Sequence, residues 1–111
     1  MKAKSDIKTI CVHEGELKDR RYKGVVSPLY LSSAYAFDGV DEKRYPRYFN
    51  TPNQEALAQK LAALEGGESA LIFGSGMAAI STALLSQLKQ GDHVVFQNDI
   101  YGGTRNFIKR E

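Results

Sequence analysis

The stretch from residue 69 to residue 96 limits the fold more than any other. It opens with the apolar run Ser69-Ala70-Leu71-Ile72-Phe73, which is broken by Gly74-Ser75-Gly76. A short apolar run bounded by glycines suits a strand buried on both faces of a parallel sheet. Residues 77 to 88 then place Met77, Ile80, Leu84 and Leu88 on one side, with Lys89 and a Gly91 stop behind them, which is the pattern of an amphipathic helix. His93-Val94-Val95-Phe96 repeats the strand signal. The order reads as one βαβ unit with a right-handed crossover. The expected fold class is α/β, a parallel sheet with helices on both faces, begun but not completed here. Two strands are too few for a stable sheet, so the intact protein is expected to continue beyond Glu111 with more of them.

Signals on either side of this unit set the expected organisation. Thr51-Pro52-Asn53-Gln54 supplies an N-cap hydroxyl, a proline at the first helical position and a glutamine placed to close a capping box. Leu57, Leu61 and Leu64 make one apolar stripe and Gly66-Gly67 a C-terminal stop, predicting a helix over 52–65. A further helix is expected from near Thr104 to the last residues. Residues 1–50 have little periodicity, and fifty residues without strong elements are unusual inside a compact domain. The chain therefore divides into an N-terminal arm, 1–50, packing on something else such as a neighbouring subunit, and the first part of an α/β domain, 51–111.

Composition excludes several classes. A net charge of +2 with 25% charged residues marks neither a nucleic-acid binder nor a disordered tail. The single cysteine, Cys11, rules out an intrachain disulfide, and no Cys/His cluster offers metal ligands. Cys11 reads as a buried or idle thiol, and His13 and His93 as structural. The first residues are charged and lead into no apolar h-region. No apolar stretch approaches the roughly 20 residues that cross a bilayer. A cytoplasmic protein is expected.

Three places offer groups that could carry chemistry. Gly74-Ser75-Gly76-Met77 lies between the first strand signal and a helix start, where turned backbone N–H groups and the helix dipole favour an anion such as phosphate. The bland alternative is a tight turn that needs glycine only for its backbone angles. Gly74, Gly76 and Ala79 also satisfy a dinucleotide fingerprint, with Asp99 placed as a ribose-binding acid, but such a fold usually opens with that strand. Tyr45-Pro46-Arg47, an extended piece ahead of the first long helix, joins a phenol and a guanidinium able to hold a phosphate, although the residues alone favour a solvated surface turn. Tyr101, ahead of Gly102-Gly103-Thr104, follows the second strand signal at the edge where α/β sheets bind ligands; taken alone it reads equally as a core or surface tyrosine.

Taken in order, Tyr45-x-Arg47, Asn50, Leu64-Glu65-Gly66, Ser75-Gly76-Met77-Ala78-Ala79-Ile80, Gly91-Asp92-His93 and Tyr101-Gly102-Gly103-Thr104 resemble the N-terminal quarter of the Cys/Met-metabolism family of trans-sulfuration enzymes. The resemblance covers nearly the whole chain, from Thr9-Ile10-Cys11-Val12-His13 onward. It implies the N-terminal part of a fold-type I enzyme whose cofactor is pyridoxal 5′-phosphate. The backbone amides of Gly76 and Met77 are then expected to bind the cofactor phosphate, and Tyr101 to stack on the pyridine ring and help move protons. Tyr45 and Arg47 are expected to reach the phosphate of a neighbouring subunit in a homotetramer.

The implied reaction is elimination or replacement at the β or γ carbon of a small sulfur amino acid, cystathionine or a homoserine derivative. The family's Schiff-base lysine and the aspartate for the ring nitrogen fall beyond residue 111. None of the nine lysines stands in such a motif, Lys60 and Lys89 reading as solvated helix positions, so the chain alone is expected to be inactive. Asn50-Thr51-Pro52 stands where many members read Asn-Pro-Thr, and Gly103 where methionine γ-lyases carry cysteine, which disfavours that branch. The alternatives are a dinucleotide-binding α/β module and a non-catalytic protein that binds partners.

Overall fold

The structure, a computed structural model, describes residues 6–111. Four helices form along them: α1 (Ile7–His13), α2 (Pro52–Glu65), α3 (Gly76–Gln87) and α4 (Gly102–Arg110), with a 3-10 turn at Pro46–Tyr48. The chain is organised as two units, one reaching Ile72 and the other Phe73–Glu111.

α2 starts and stops where local chemistry dictates. Gln54 Oε1 accepts from the Thr51 N–H at 3.1 Å and from the Thr51 hydroxyl at 2.7 Å, within a capping box that leaves Pro52 at the first helical position. At the other end Gly66 is left-handed at φ 68°. Its N–H donates to Ala63 O at 3.4 Å, and the Gly67 N–H donates to Ala62 O at 2.8 Å. This is the paired closure that satisfies the last carbonyls of a helix.

α1 packs on α2, and two contacts define the packing. Lys60 Nζ donates to Cys11 O at 3.0 Å and to Val12 O at 3.5 Å, so an ammonium from α2 caps the carbonyl end of α1. Lys60 is therefore half-buried and engaged rather than solvated. Just after α1, Gly15 has φ +72°, and a Cβ there would stand 2.2 Å from Ala56 O. Only glycine serves at a position with both demands. Cys11 is exposed, not buried, and His13 Nδ1 lies 3.4 Å from Glu16 Oε2 on the surface.

The expected α/β class is not what forms. The described residues contain helices and no strand, so the parallel sheet and the βαβ unit are both absent from them. Residues 69–73 and 93–96 run without regular structure, with Leu71 61% and Val95 84% exposed. The physical reason is pairing. A helix satisfies its N–H and C=O groups within its own segment, whereas a strand must find them on a neighbour. Apolar character alone, however strand-like, supplies no such neighbour. Ala62 is the one buried apolar side chain among the described residues.

The second unit is built on α3 packed against α4. α3 begins one residue before the expected Met77 start, because Ser75 caps it, accepting from the Ala78 N–H at 3.1 Å. α4 begins at Gly102 rather than near Thr104, with the Arg105 N–H donating to Tyr101 O at 3.0 Å.

Candidate functional site

In the second unit the sequence Gly74-Ser75-Gly76-Met77 becomes a capped helix start. The first N–H groups of any α-helix have no partner inside it. The Ser75 hydroxyl takes the Ala78 N–H and the Ser75 carbonyl takes that of Ala79 at 3.2 Å. The N–H groups of Gly76 and Met77 have no hydrogen-bond partner among the described residues.

The glycines here have a telling environment. Neither Gly74 nor Gly76 has a left-handed φ, and a Cβ built on either meets nothing within 4 Å. A tight turn needing glycine for its backbone angles is thus excluded as their explanation, and so is crowding within this unit. What remains is access: without side chains, an external group reaches the two free N–H donors. A helix start of this kind carries partial positive charge, which is the sign that suits an anion.

Beside this helix start stands Tyr101, 71% exposed and the residue that caps α4. Its ring edge and the Met77 sulfur converge on Gly103: a Cβ at that glycine would lie 2.6 Å from Tyr101 Cε1 and 3.3 Å from Met77 Sδ. The Thr104 hydroxyl, on a residue only 8% exposed, donates to Met77 Sδ at 3.6 Å. Three of the expected site residues, Gly76, Met77 and Tyr101, are therefore gathered on the facing first turns of α3 and α4. The Ser75 cap and the Thr104–Met77 contact escaped sequence reasoning. A serine directly before the Gly-Met helix start was the available signal for the first, whereas no spacing rule signals the second.

Tyr45 and Arg47 lie in the first unit. The expected extended piece is in fact a 3-10 turn, since Pro46 at its first position fixes φ and the Tyr48 N–H donates to Tyr45 O at 2.8 Å. The turn brings the two side chains together, with Arg47 Nη1 donating to the Tyr45 phenol oxygen at 3.3 Å. Tyr48 packs edge-on to Tyr45 at 5.4 Å between ring centroids. Arg47 is exposed and has no carboxylate partner among the described residues.

Arg44, three residues earlier, is its opposite. It forms ion pairs with Glu42 and Glu55, each at 2.8 Å, and donates to Asn50 O. Its hydrogen bond to the accepting Glu55 carboxylate raises the guanidinium pKa above the ordinary arginine value. Asn50 completes the frame, accepting from the Tyr45 N–H at 3.0 Å and donating to Lys43 O at 2.8 Å. Gln54 Nε2 donates to Pro46 O at 3.0 Å, tying the turn to the first turn of α2. One arginine thus holds the turn, and the other is presented by it.

The described residues include no group of three or more His, Cys, Asp or Glu able to hold a metal ion. They include no helix long and apolar enough to cross a membrane.

Comparison with known proteins adds an independent line. The family model described as Cys/Met metabolism PLP-dependent enzyme matches residues 8–111. The chain is 43% identical over 106 residues to a cystathionine gamma-synthase of Mycobacterium tuberculosis, an alignment covering 92% of this chain and 27% of that protein. It is 34% identical over 108 residues to a cystathionine beta-lyase of Lactococcus lactis subsp. cremoris, covering 96% and 28%. The chain spans about a quarter of the length of these curated relatives. No solved structure matches it.

Proposed function

The chain belongs to the Cys/Met metabolism PLP-dependent enzymes, and on that premise we propose that it supplies the phosphate-binding and ring-facing parts of a trans-sulfuration enzyme's cofactor site. The substrate class is a small sulfur amino acid, cystathionine or a homoserine derivative. The observation that carries the reading is the helix start at α3, where two free N–H groups on an open glycine face stand beside the exposed ring of Tyr101.

In this reading the N–H groups of Gly76 and Met77 hold the phosphate of pyridoxal 5′-phosphate, and the Ser75 cap keeps them aimed. Tyr101 lays its ring against the cofactor ring, and its phenol carries a proton to or from the substrate. When bound, the cofactor supplies a pyridinium ring that takes up the electrons released as the α-proton leaves, which opens elimination or replacement at the β or γ carbon. Arg47, paired with Tyr45 and otherwise unengaged, adds charge-assisted hydrogen bonds to the phosphate of a neighbouring subunit in a homotetramer. The Schiff-base lysine is assigned outside these 111 residues. Lys60, the half-buried lysine of α2, is already held by the carbonyls of Cys11 and Val12.

Titration of the protein with pyridoxal 5′-phosphate, followed through the amide signals of Gly76 and Met77, tests the proposal. Saturable shifts at these two amides are expected, reproduced more weakly by inorganic phosphate. Shifts scattered over the surface, or none at these amides, would overturn it.

A further inference from the structure

Gly74 and Gly76 leave the start of α3 open, since a Cβ on either would meet nothing within 4 Å. The same openness leaves the first turn with little to hold it. Helix ends fray where contacts are few, and glycine adds backbone freedom at that end. From within, the turn is secured by the Ser75 cap. Met77, the second residue of α3, is the first of its residues with a side chain able to tether the turn from outside.

Across from it stands Thr104, the third residue of α4 and only 8% exposed. A buried hydroxyl needs a partner, and threonine inside a helix commonly finds the carbonyl four residues back. At this position that carbonyl belongs to Ile100, which precedes the helix. Thr104 Oγ1 donates instead to Met77 Sδ at 3.6 Å, its one hydrogen-bond partner among the described residues. The β-branch leaves threonine few χ1 rotamers, so the hydroxyl is a stiff anchor, whereas the methionine it holds is a flexible chain. Resting on the reading of this helix start as the phosphate site, we propose that Thr104 is a positioning residue for it. Its hydroxyl holds the Met77 sulfur and so keeps the first turn of α3, with the N–H groups of Gly76 and Met77, ordered before an anion arrives. Order present ahead of binding removes a cost that the ligand would otherwise meet. The tether acts on the phosphate end of the site alone and does not depend on where the Tyr101 ring lies.

The test uses Thr104→Val, which keeps the shape without the hydroxyl, Thr104→Ser, which keeps the hydroxyl, Met77→Leu, which keeps the N–H without the sulfur, and the Thr104→Val/Met77→Leu pair. Each is titrated with inorganic phosphate through the amide signals of positions 76 and 77, with hydrogen exchange recorded at Ala78, Ala79 and Leu88. Thr104→Val is expected to weaken phosphate binding roughly 3-fold, the order of one modest hydrogen bond. It should speed exchange at Ala78 and Ala79, whose N–H groups bond to Ser75, but not at Leu88 at the far end of α3. Thr104→Ser should return both readouts to the parent values. Met77→Leu should match Thr104→Val, and the pair should lose no more than either alone. Parent affinity in Thr104→Val, losses that simply add in the pair, or faster exchange at Leu88 as well would overturn the inference while leaving the phosphate site standing. Failure of Gly76 and Met77 in the parent protein to respond to phosphate would overturn the phosphate site itself, and the inference with it.

Discussion

Arg44 Nη1 lies 2.8 Å from Glu55 Oε1, joining the turn that carries Tyr45 and Arg47 to the first turn of α2. The pair is about two-thirds covered, with side-chain exposures of 27% and 33%. It is therefore less screened by solvent than a surface pair, whose contribution is commonly below about 1 kcal/mol. Arg44→Ala is expected to cost on the order of 1–2 kcal/mol in unfolding free energy, since Glu55 and the Asn50 carbonyl both lose a donor. Denaturant unfolding of the single variants and the Arg44→Ala/Glu55→Ala pair measures the coupling. Strict additivity would show that the two side chains stand near each other without holding the turn.

Ser75→Ala and Ser75→Asp separate the two roles of the α3 start. Alanine removes the cap on the Ala78 N–H, which costs about 1 kcal/mol and speeds hydrogen exchange at residues 77–79. Aspartate keeps a capping oxygen, so stability is retained, but its charge opposes an incoming phosphate. Weaker phosphate binding in a stable Ser75→Asp protein is the expected outcome. Equal binding by the two variants would place the anion elsewhere.

Gly15→Ala tests the α1–α2 packing. A left-handed alanine is strained, and its Cβ would stand 2.2 Å from the Ala56 carbonyl oxygen, a backbone atom that has no rotamer to yield. A loss of roughly 1–3 kcal/mol is expected, with faster hydrogen exchange at the end of α1 and at Lys60. Stability within a few tenths of a kcal/mol of the parent would mean that α1 does not dock as described.

Asp19 gives a pH prediction. Its carboxylate accepts from the N–H of Tyr22 at 2.9 Å, of Arg21 at 3.0 Å and of Gly24 at 3.3 Å. The Tyr22 bond is the main cause that holds its pKa below the ordinary 3.8. A depressed folded value favours the loop above the unfolded pKa and releases it as the pH falls through the folded one. The Tyr22 amide signal should change in one step centred below the ordinary carboxylate value of 3.8. In Asp19→Asn the low-pH step should disappear. A step centred well above 4 in the parent would assign it to another group.

Much of the chain was legible because its determinants are local. The cap at Thr51 and Gln54, the proline at 52 and the glycine stop at 66 and 67 act within a few residues of one another, so the pattern foretold α2 at both ends. The helix start at Gly76 and Met77 and the place of Tyr101 beside a second helix were legible for the same reason. The order of motifs from Tyr45 to Thr104 carried the family, as the match over residues 8–111 bears out.

What sequence alone determined is thus where α2 begins and ends, and that helices follow close to Met77 and Thr104; α1 at Ile7–His13 was not foreseen. Tertiary structure decided the rest. Residues 69–73 and 93–96 had the composition of buried strands, but a strand exists only when a neighbour takes up its hydrogen bonds, and no local rule names that neighbour. Lys60 reaches Cys11 and Val12 across nearly fifty residues of chain. Gly15 is required by the Ala56 carbonyl, and Gly103 is shaped by the ring of Tyr101 and the sulfur of Met77. Each of these depends on two segments arriving at one point in space, a condition that packing imposes and periodicity does not contain.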